Sequence, residues 1–170
     1  MTISNGSPVS GNNSAYGGQS FINDPTGGTG ANIQLNDWTF GFGSSGVATS
    51  ALGTQLSIYL GEGNGGTLVG SSTNTTISSF YATNASVKWT FTGGLILADN
   101  VTYTAVVDSP TSFLYVFSGD TYANGKFTSG TTTSGTIDRI FSANFSTVST
   151  PVPFEFETTS GLAILGGAWL

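Results

Sequence analysis

Short apolar alternations, separated by turns rich in Gly, Asn, Asp and Ser, run through this 170-residue chain and point it toward an antiparallel β fold. In ASVKWTF, Ala85, Val87, Trp89 and Phe91 fall on one face of a strand, while Ser86, Lys88 and Thr90 fall on the other. VTYTAVV alternates likewise through Val101, Tyr103, Ala105 and Val107, and IFSANFS through Phe141, Ala143 and Phe145. SFLYVFS, Ser112 to Ser118, is apolar on both parities, as a central strand or one covered by a partner would be. TQLSIYL places Leu56, Ile58 and Leu60 on one face, and GEGNGGT (Gly61 to Thr67) reads as a turn that makes a hairpin with TLVGSS. In NIQLNDWTFGF the apolar parity moves from Ile33 and Leu35 to Trp38, Phe40 and Phe42, which predicts a β-bulge near Asn36 and Asp37.

No window of a dozen residues sustains the i, i+3, i+4, i+7 pattern of a helix. About eight to ten short strands with turns between them predict an all-β fold, an antiparallel β-sandwich or jelly roll. Residues 1–17 read as an extended polar arm anchored by Ile3 and Val9, residues 18–148 as the β-sandwich domain, and residues 149–170 as an apolar C-terminal tail. With 38% apolar and 12% aromatic residues, one domain can build a sizeable core.

Only 7% of the residues are charged, so solubility rests on hydroxyls and amides. Nine acidic residues against Lys88, Lys126 and Arg139 give a net charge of −6, which offers no basic patch for nucleic acid or for an anionic membrane surface. With no Cys and no His, a Ser/His/Asp triad, a thiolate nucleophile and a Cys-based zinc site are all excluded. The Thr, Ser, Gly and Asn richness matches secreted or surface β proteins, so an extracellular or cell-surface location is expected. The N-terminal MTISNGSPVSGNNSAYGG has neither a basic n-region nor an apolar h-region of a signal peptide.

The acidic residues Asp24, Asp37, Glu62, Asp99, Asp108, Asp120, Asp138, Glu155 and Glu157 are spread singly, without the pair that glycoside hydrolysis needs, and no catalytic site is expected. No cofactor is expected. A structural calcium ion would draw on Asp120 and Asn124 in SGDTYANGK, or on Glu62 and Asn64 in GEGNGG, but neither has the carboxylate density of a dedicated loop, and turn chemistry is the simpler account. The Gly-rich GTGANI is not placed between a strand and a helix and lacks the Lys and Ser/Thr of a phosphate loop. Tyr59, Tyr81, Tyr115 and Tyr122 could stack on sugar rings if they face outward, whereas most aromatic residues in such alternation are core. Lys88 faces outward in its strand, which disfavours an intramolecular Lys–Asn isopeptide staple.

The chain's last stretch, PVPFEFETTSGLAILGGAWL, alternates Val152, Phe154 and Phe156 against Pro153, Glu155 and Glu157. GLAILGGAWL gives ten further residues, with no Lys or Arg after them, too few to cross a bilayer as a helix. The run from Val152 to Phe156 followed by Gly161 to Gly167 resembles the PFE variant of bacterial PEP-CTERM-like sorting tails found in cyanobacterial surface proteins. YGGQSF, LSIYLGEGNGGTLVGSS and FSANFS are similar to the β-sandwich domains carried ahead of such tails. The resemblance implies an exported, surface-associated, non-enzymatic protein that meets the membrane only transiently during sorting.

An extended apolar segment can also complete a sheet edge in a neighbouring subunit, and such head-to-tail contact propagates into a filament. The tail would bury about 600 Å2 of apolar surface, worth on the order of 15 kcal/mol before ordering costs. The leading expectation is therefore a homopolymer in which Phe154, Phe156, Leu162, Ile164, Leu165, Trp169 and Leu170 carry self-association. The alternative is a surface-displayed, lectin-like module with a glycan partner.

Overall fold

The computed structural model describes residues 1–5, 10–14, 17–23, 32–109, 113–129 and 132–148. Two antiparallel sheets pack face to face as a β-sandwich. One runs in the order β1 (Thr2–Ser4), β14 (Phe141–Thr147), β4 (Ile33–Gly41), β8 (Ser86–Leu97) and β7 (Thr75–Ser78). Six strands form the other: β12 (Thr132–Ser134), β11 (Phe127–Ser129), β3 (Gly17–Ile22), β9 (Thr102–Asp108), β5 (Gln55–Leu60) and β6 (Leu68–Ser72). A smaller sheet holds β13 (Ile137–Arg139), β10 (Phe113–Gly119) and β2 (Ser10–Ser14), and the chain passes from β13 through Ile140 directly into β14.

The alternations place the core. Leu35, Trp38, Phe40, Val87, Trp89, Phe141, Ala143 and Phe145 meet Phe21, Leu56, Ile58, Tyr103, Ala105 and Val107 of the facing sheet in one buried cluster. Trp38 stacks on Phe141 with ring centroids 4.8 Å apart and planes at 4°, and its ring also lies 4.8 Å from Phe21 across the sandwich. Such pairs add about 0.5–1.5 kcal/mol beyond the area they bury. The indole N–H of Trp89 donates to the Thr54 carbonyl at 2.9 Å, so this buried donor is satisfied.

The expected bulge is present within a single strand. The register of β4 shifts between Leu35 and Asp37 against β8, and β14 shifts between Asn144 and Phe145 on the other side. Asn36 then reaches sideways, its Nδ2 donating to Ser146 Oγ at 3.2 Å and its Oδ1 accepting from Gln34 Nε2 at 3.1 Å. The β5–β6 hairpin also forms as expected, with Leu56 and Ile58 buried. Leu60, at the strand's end, is exposed where the turn begins. SFLYVFS supplies β10, paired on both sides by β13 and β2.

Three details differ from the sequence expectations. A short helix, α1 (Ser45–Ser50), forms where none was expected, capped by Ser44 Oγ, which accepts from the Val47 N–H at 3.3 Å. It buries only Ala48 within its length, too little for a helical period to be visible. Ser86, expected outside, is fully buried, and its hydroxyl is satisfied by accepting the Tyr81 N–H at 3.1 Å. The segment read as a polar arm contributes β1, which pairs with β14, and β2, which pairs with β10.

The flanks of the sandwich close by different means. On one, the chain steps from β6 to β7 through Thr73 and Asn74 and so passes from one large sheet to the other. Ser72 Oγ donates to the Thr90 carbonyl at 2.6 Å, and the Thr90 N–H donates to the Asn74 carbonyl at 2.9 Å. Gly70 permits the approach, since a Cβ there would lie 2.6 Å from Leu95 Cδ1. On the other flank, where β3 and β11 meet β13, the wholly buried Gln19, Asp138 and Arg139 take the place of an apolar seam.

Candidate functional site

The residues expected to carry self-association, Phe154, Phe156, Leu162, Ile164, Leu165, Trp169 and Leu170, lie outside the described residues, as do Asp24, Glu155 and Glu157. Strand addition also needs a receiving edge. The outermost strands are β1 (TIS) and β7 (TTIS) in the five-stranded sheet, β12 (TTS) and β6 (LVGSS) in the six-stranded sheet, and β2 (SGNNS) and β13 (IDR) in the small one. Among the described residues, five of these six carry neither a charged residue nor a proline, although β1, β7 and β12 are only three or four residues long, itself a guard against edge-to-edge pairing. The sixth, β13, holds Asp138 and Arg139, both buried within the molecule.

The remaining candidates sort by environment. Asp37 accepts from Asn144 Nδ2 at 2.7 Å beside the bulge. Asp138 accepts from Gln19 Nε2 at 2.7 Å, from the Tyr122 N–H at 2.7 Å and from the Thr121 N–H at 2.8 Å, while Gln19 Oε1 accepts the Arg139 N–H at 2.8 Å. Burial pushes the Asp138 carboxyl above its ordinary value, against the lowering effect of these hydrogen bonds. The Arg139 guanidinium lies over the Phe127 ring, 4.4 Å from its centroid. Sequence reasoning missed this cluster, although Asp138 and Arg139 are adjacent opposite charges in a chain that has few.

The two loops weighed for calcium come together, but through an ion pair. Lys126 Nζ lies 2.8 Å from Glu62 Oε1, with both side chains roughly half exposed. They border a cleft of about 200 Å3 lined by Ser20, Ile22, Thr102, Asn124 and Gly125, and the Lys126 ammonium occupies the Glu62 carboxylate that a cation would use. Among the described residues, no three Asp or Glu side chains converge as metal ligands, and no helix is long and apolar enough to cross a membrane.

The tyrosines divide as well. Tyr122 packs edge-on against Phe141, and its hydroxyl donates to the Ile22 carbonyl at 3.0 Å, a core role. Burial raises its phenol above the usual value. Tyr81 lies against Gly41, and the side chain of Tyr115 lies outside the described residues. Tyr59 alternates with the buried Leu56 and Ile58 and so shares the other face of β5 with Gln55 and Ser57, of which Ser57 is itself wholly buried. Its hydroxyl donates to Asp108 Oδ2 at 3.4 Å, as does Gln55 Nε2 at 3.4 Å, and Ser57 Oγ donates to the same oxygen. Burial first and the Asp108 charge second raise the Tyr59 phenol. Lys88 faces outward as expected, opposite Thr39 and Thr76.

Comparison of the chain with protein-family models, with curated proteins and with solved structures gives no match.

Proposed function

We propose that this chain is a non-catalytic structural subunit of the cell surface or extracellular matrix that assembles with copies of itself into a filament. The apolar residues between Phe154 and Leu170 of one subunit would pair as a strand with an edge of the next. One observation carries the proposal: among the described residues, five of the six outermost strands are free of charge and proline, in a chain whose sequence also holds a period-2 apolar segment at Val152 to Phe156. The scarcity of charge supports it too, because little electrostatic repulsion opposes close packing of copies. The likeness of the tail to surface-sorting sequences supports the same location.

Sedimentation velocity and negative-stain microscopy of the full chain and of a variant lacking Gly161 to Leu170 test this. The full chain is expected to form fibres or a concentration-dependent ladder of oligomers, and the shortened chain to sediment as a folded monomer. Equal assembly of the two, or a full chain that stays monomeric at every concentration, would overturn donation by the tail.

A further inference from the structure

We infer that Asn64 is a site of spontaneous covalent modification: the backbone nitrogen of Gly65 closes on the Asn64 carboxamide, ammonia leaves, and the resulting succinimide opens in water to aspartate or isoaspartate. Asn-Gly is the dipeptide that favours this ring closure, because glycine has no Cβ to crowd the attacking nitrogen and its backbone turns freely. The sequence holds three such dipeptides, Asn5-Gly6, Asn64-Gly65 and Asn124-Gly125. The fold treats them unequally.

Asn5 is clamped. Its Nδ2 donates to the Arg139 carbonyl and its Oδ1 accepts the Phe141 N–H at 2.9 Å, so the carboxamide is held where β13 runs into β14 and does not swing onto the next residue. At Asn124 the side chain is exposed, but the attacking nitrogen is engaged. The Gly125 N–H donates to the Tyr122 carbonyl at 3.2 Å, and the glycine is hemmed in, since a Cβ there would lie 2.0 Å from the Ser20 carbonyl oxygen and 2.8 Å from the Tyr122 ring.

Asn64 has neither restraint. It lies in the turn between β5 and β6, which is held at its base by the Leu60 N–H donating to the Thr67 carbonyl at 2.9 Å and by the pair of Glu62 with Lys126. Among the described residues, nothing bonds the Asn64 side chain or the Gly65 N–H. Gly65 is exposed, and beyond its chain neighbours no atom lies within 4 Å of where its Cβ would stand. Solvent therefore reaches the amide proton, and the carboxamide has room to rotate onto the nitrogen.

The reaction balances with water alone. A bond forms between Gly65 N and Asn64 Cγ, the Gly65 amide proton passes to solvent, and the carboxamide nitrogen departs as ammonia. Water then adds to one of the two ring carbonyls: at Cγ it restores the ordinary chain as aspartate, and at the backbone carbonyl it leaves the main chain running through the former side chain as isoaspartate. A carboxylate replaces an amide in a chain whose net charge is already −6. It joins Glu62 on one turn, just ahead of β6, an outermost strand that carries no charge. Charge beside an edge strand discourages pairing there. That consequence rests on the assembly proposed above, whereas the modification itself does not.

Peptide mass mapping of the full chain during incubation in mildly alkaline buffer made with heavy-oxygen water, folded and in guanidinium chloride, tests the site. In the folded chain Asn64 is expected to convert about tenfold faster than Asn5 and Asn124, which react only through local opening, with ammonia released and heavy oxygen taken up. Fragmentation that separates the two products should find isoaspartate among them. In the unfolded chain the three asparagines should convert at similar rates. Gly65→Ala, for which the turn has space, should slow conversion of Asn64 about tenfold while leaving the far-UV circular dichroism unchanged. The comparison of folded with unfolded native chain stands even if that variant fails to fold. An Asn64 that stays intact in the folded chain while the unfolded chain converts would overturn the inference, as would Asn5 or Asn124 converting as fast as Asn64 in the folded chain.

Discussion

The two flanks of the sandwich solve one problem with opposite chemistries. Between β6 and β7 the chain itself turns the corner, and small residues, Gly70 and Ser72, let the sheets come close with little more than backbone hydrogen bonding. Between β3, β11 and β13 the sheets are joined by side chains, and those side chains are an amide, a carboxylate and a guanidinium sealed from water. The first arrangement is tolerant because its polar groups need few partners. The second is demanding, since each buried donor needs its acceptor in place.

Substitutions that separate the two chemistries should differ in size. Asp138→Ala removes the acceptor used by Gln19 Nε2 and by the N–H groups of Thr121 and Tyr122, and should cost about 3–5 kcal/mol by urea denaturation. A loss below about 1 kcal/mol would erase the contrast. On the other flank, Gly70→Val should cost about 1–3 kcal/mol, because the new side chain enters the space of Leu95. The double variant with Leu95→Ala should recover part of that loss, which a purely conformational penalty at Gly70 would not.

Acid–base behaviour should also mark one flank only. Because burial raises the Asp138 carboxyl, the folded chain binds its proton more tightly than the unfolded chain, whose value lies near 3.8. The stabilisation from that proton is full below the unfolded value and is lost as pH rises through the folded one. The unfolding free energy of the native chain relative to Asp138→Asn should therefore fall as pH rises above about 4. A difference that is flat with pH would remove the distinction. The smallest effect is expected for Ser72→Ala, which loses the bonds to the Thr90 carbonyl and from the Asn74 N–H and should cost about 0.5–1.5 kcal/mol by the same denaturation assay.

What could be read in the sequence was local. The parity switch around Asn36 foretold a bulge because one extra residue moves every later side chain to the other face, so Leu35 and Trp38 both end inside. The GEGNGGT turn foretold its hairpin for the same local reason. α1 was hidden because six residues with one buried alanine leave no period to detect. The polar clusters were hidden because their members come from distant parts of the chain: Gln19 and Asp138 are 119 residues apart, and Tyr59 and Asp108 are 49 apart. Pairing of β5 with β9 brings Tyr59 near Asp108, packing of β13 against β3 brings Asp138 to Gln19, and no short window encodes either. The acidic residues gave the least guidance, since single carboxylates in turns look alike until their neighbours are in place.

The sealed aromatic centre of the sandwich gives the protein a built-in spectroscopic separation. Of the three tryptophans, Trp38 and Trp89 are entirely buried, while Trp169 belongs to the C-terminal tail. Emission from the first two should be blue-shifted, indifferent to aqueous quenchers and lost only on unfolding. On the self-association proposed above, a quencher-sensitive component that is missing from Trp169→Phe and disappears as the chain concentration rises would report assembly, in the untagged chain and apart from the state of the fold.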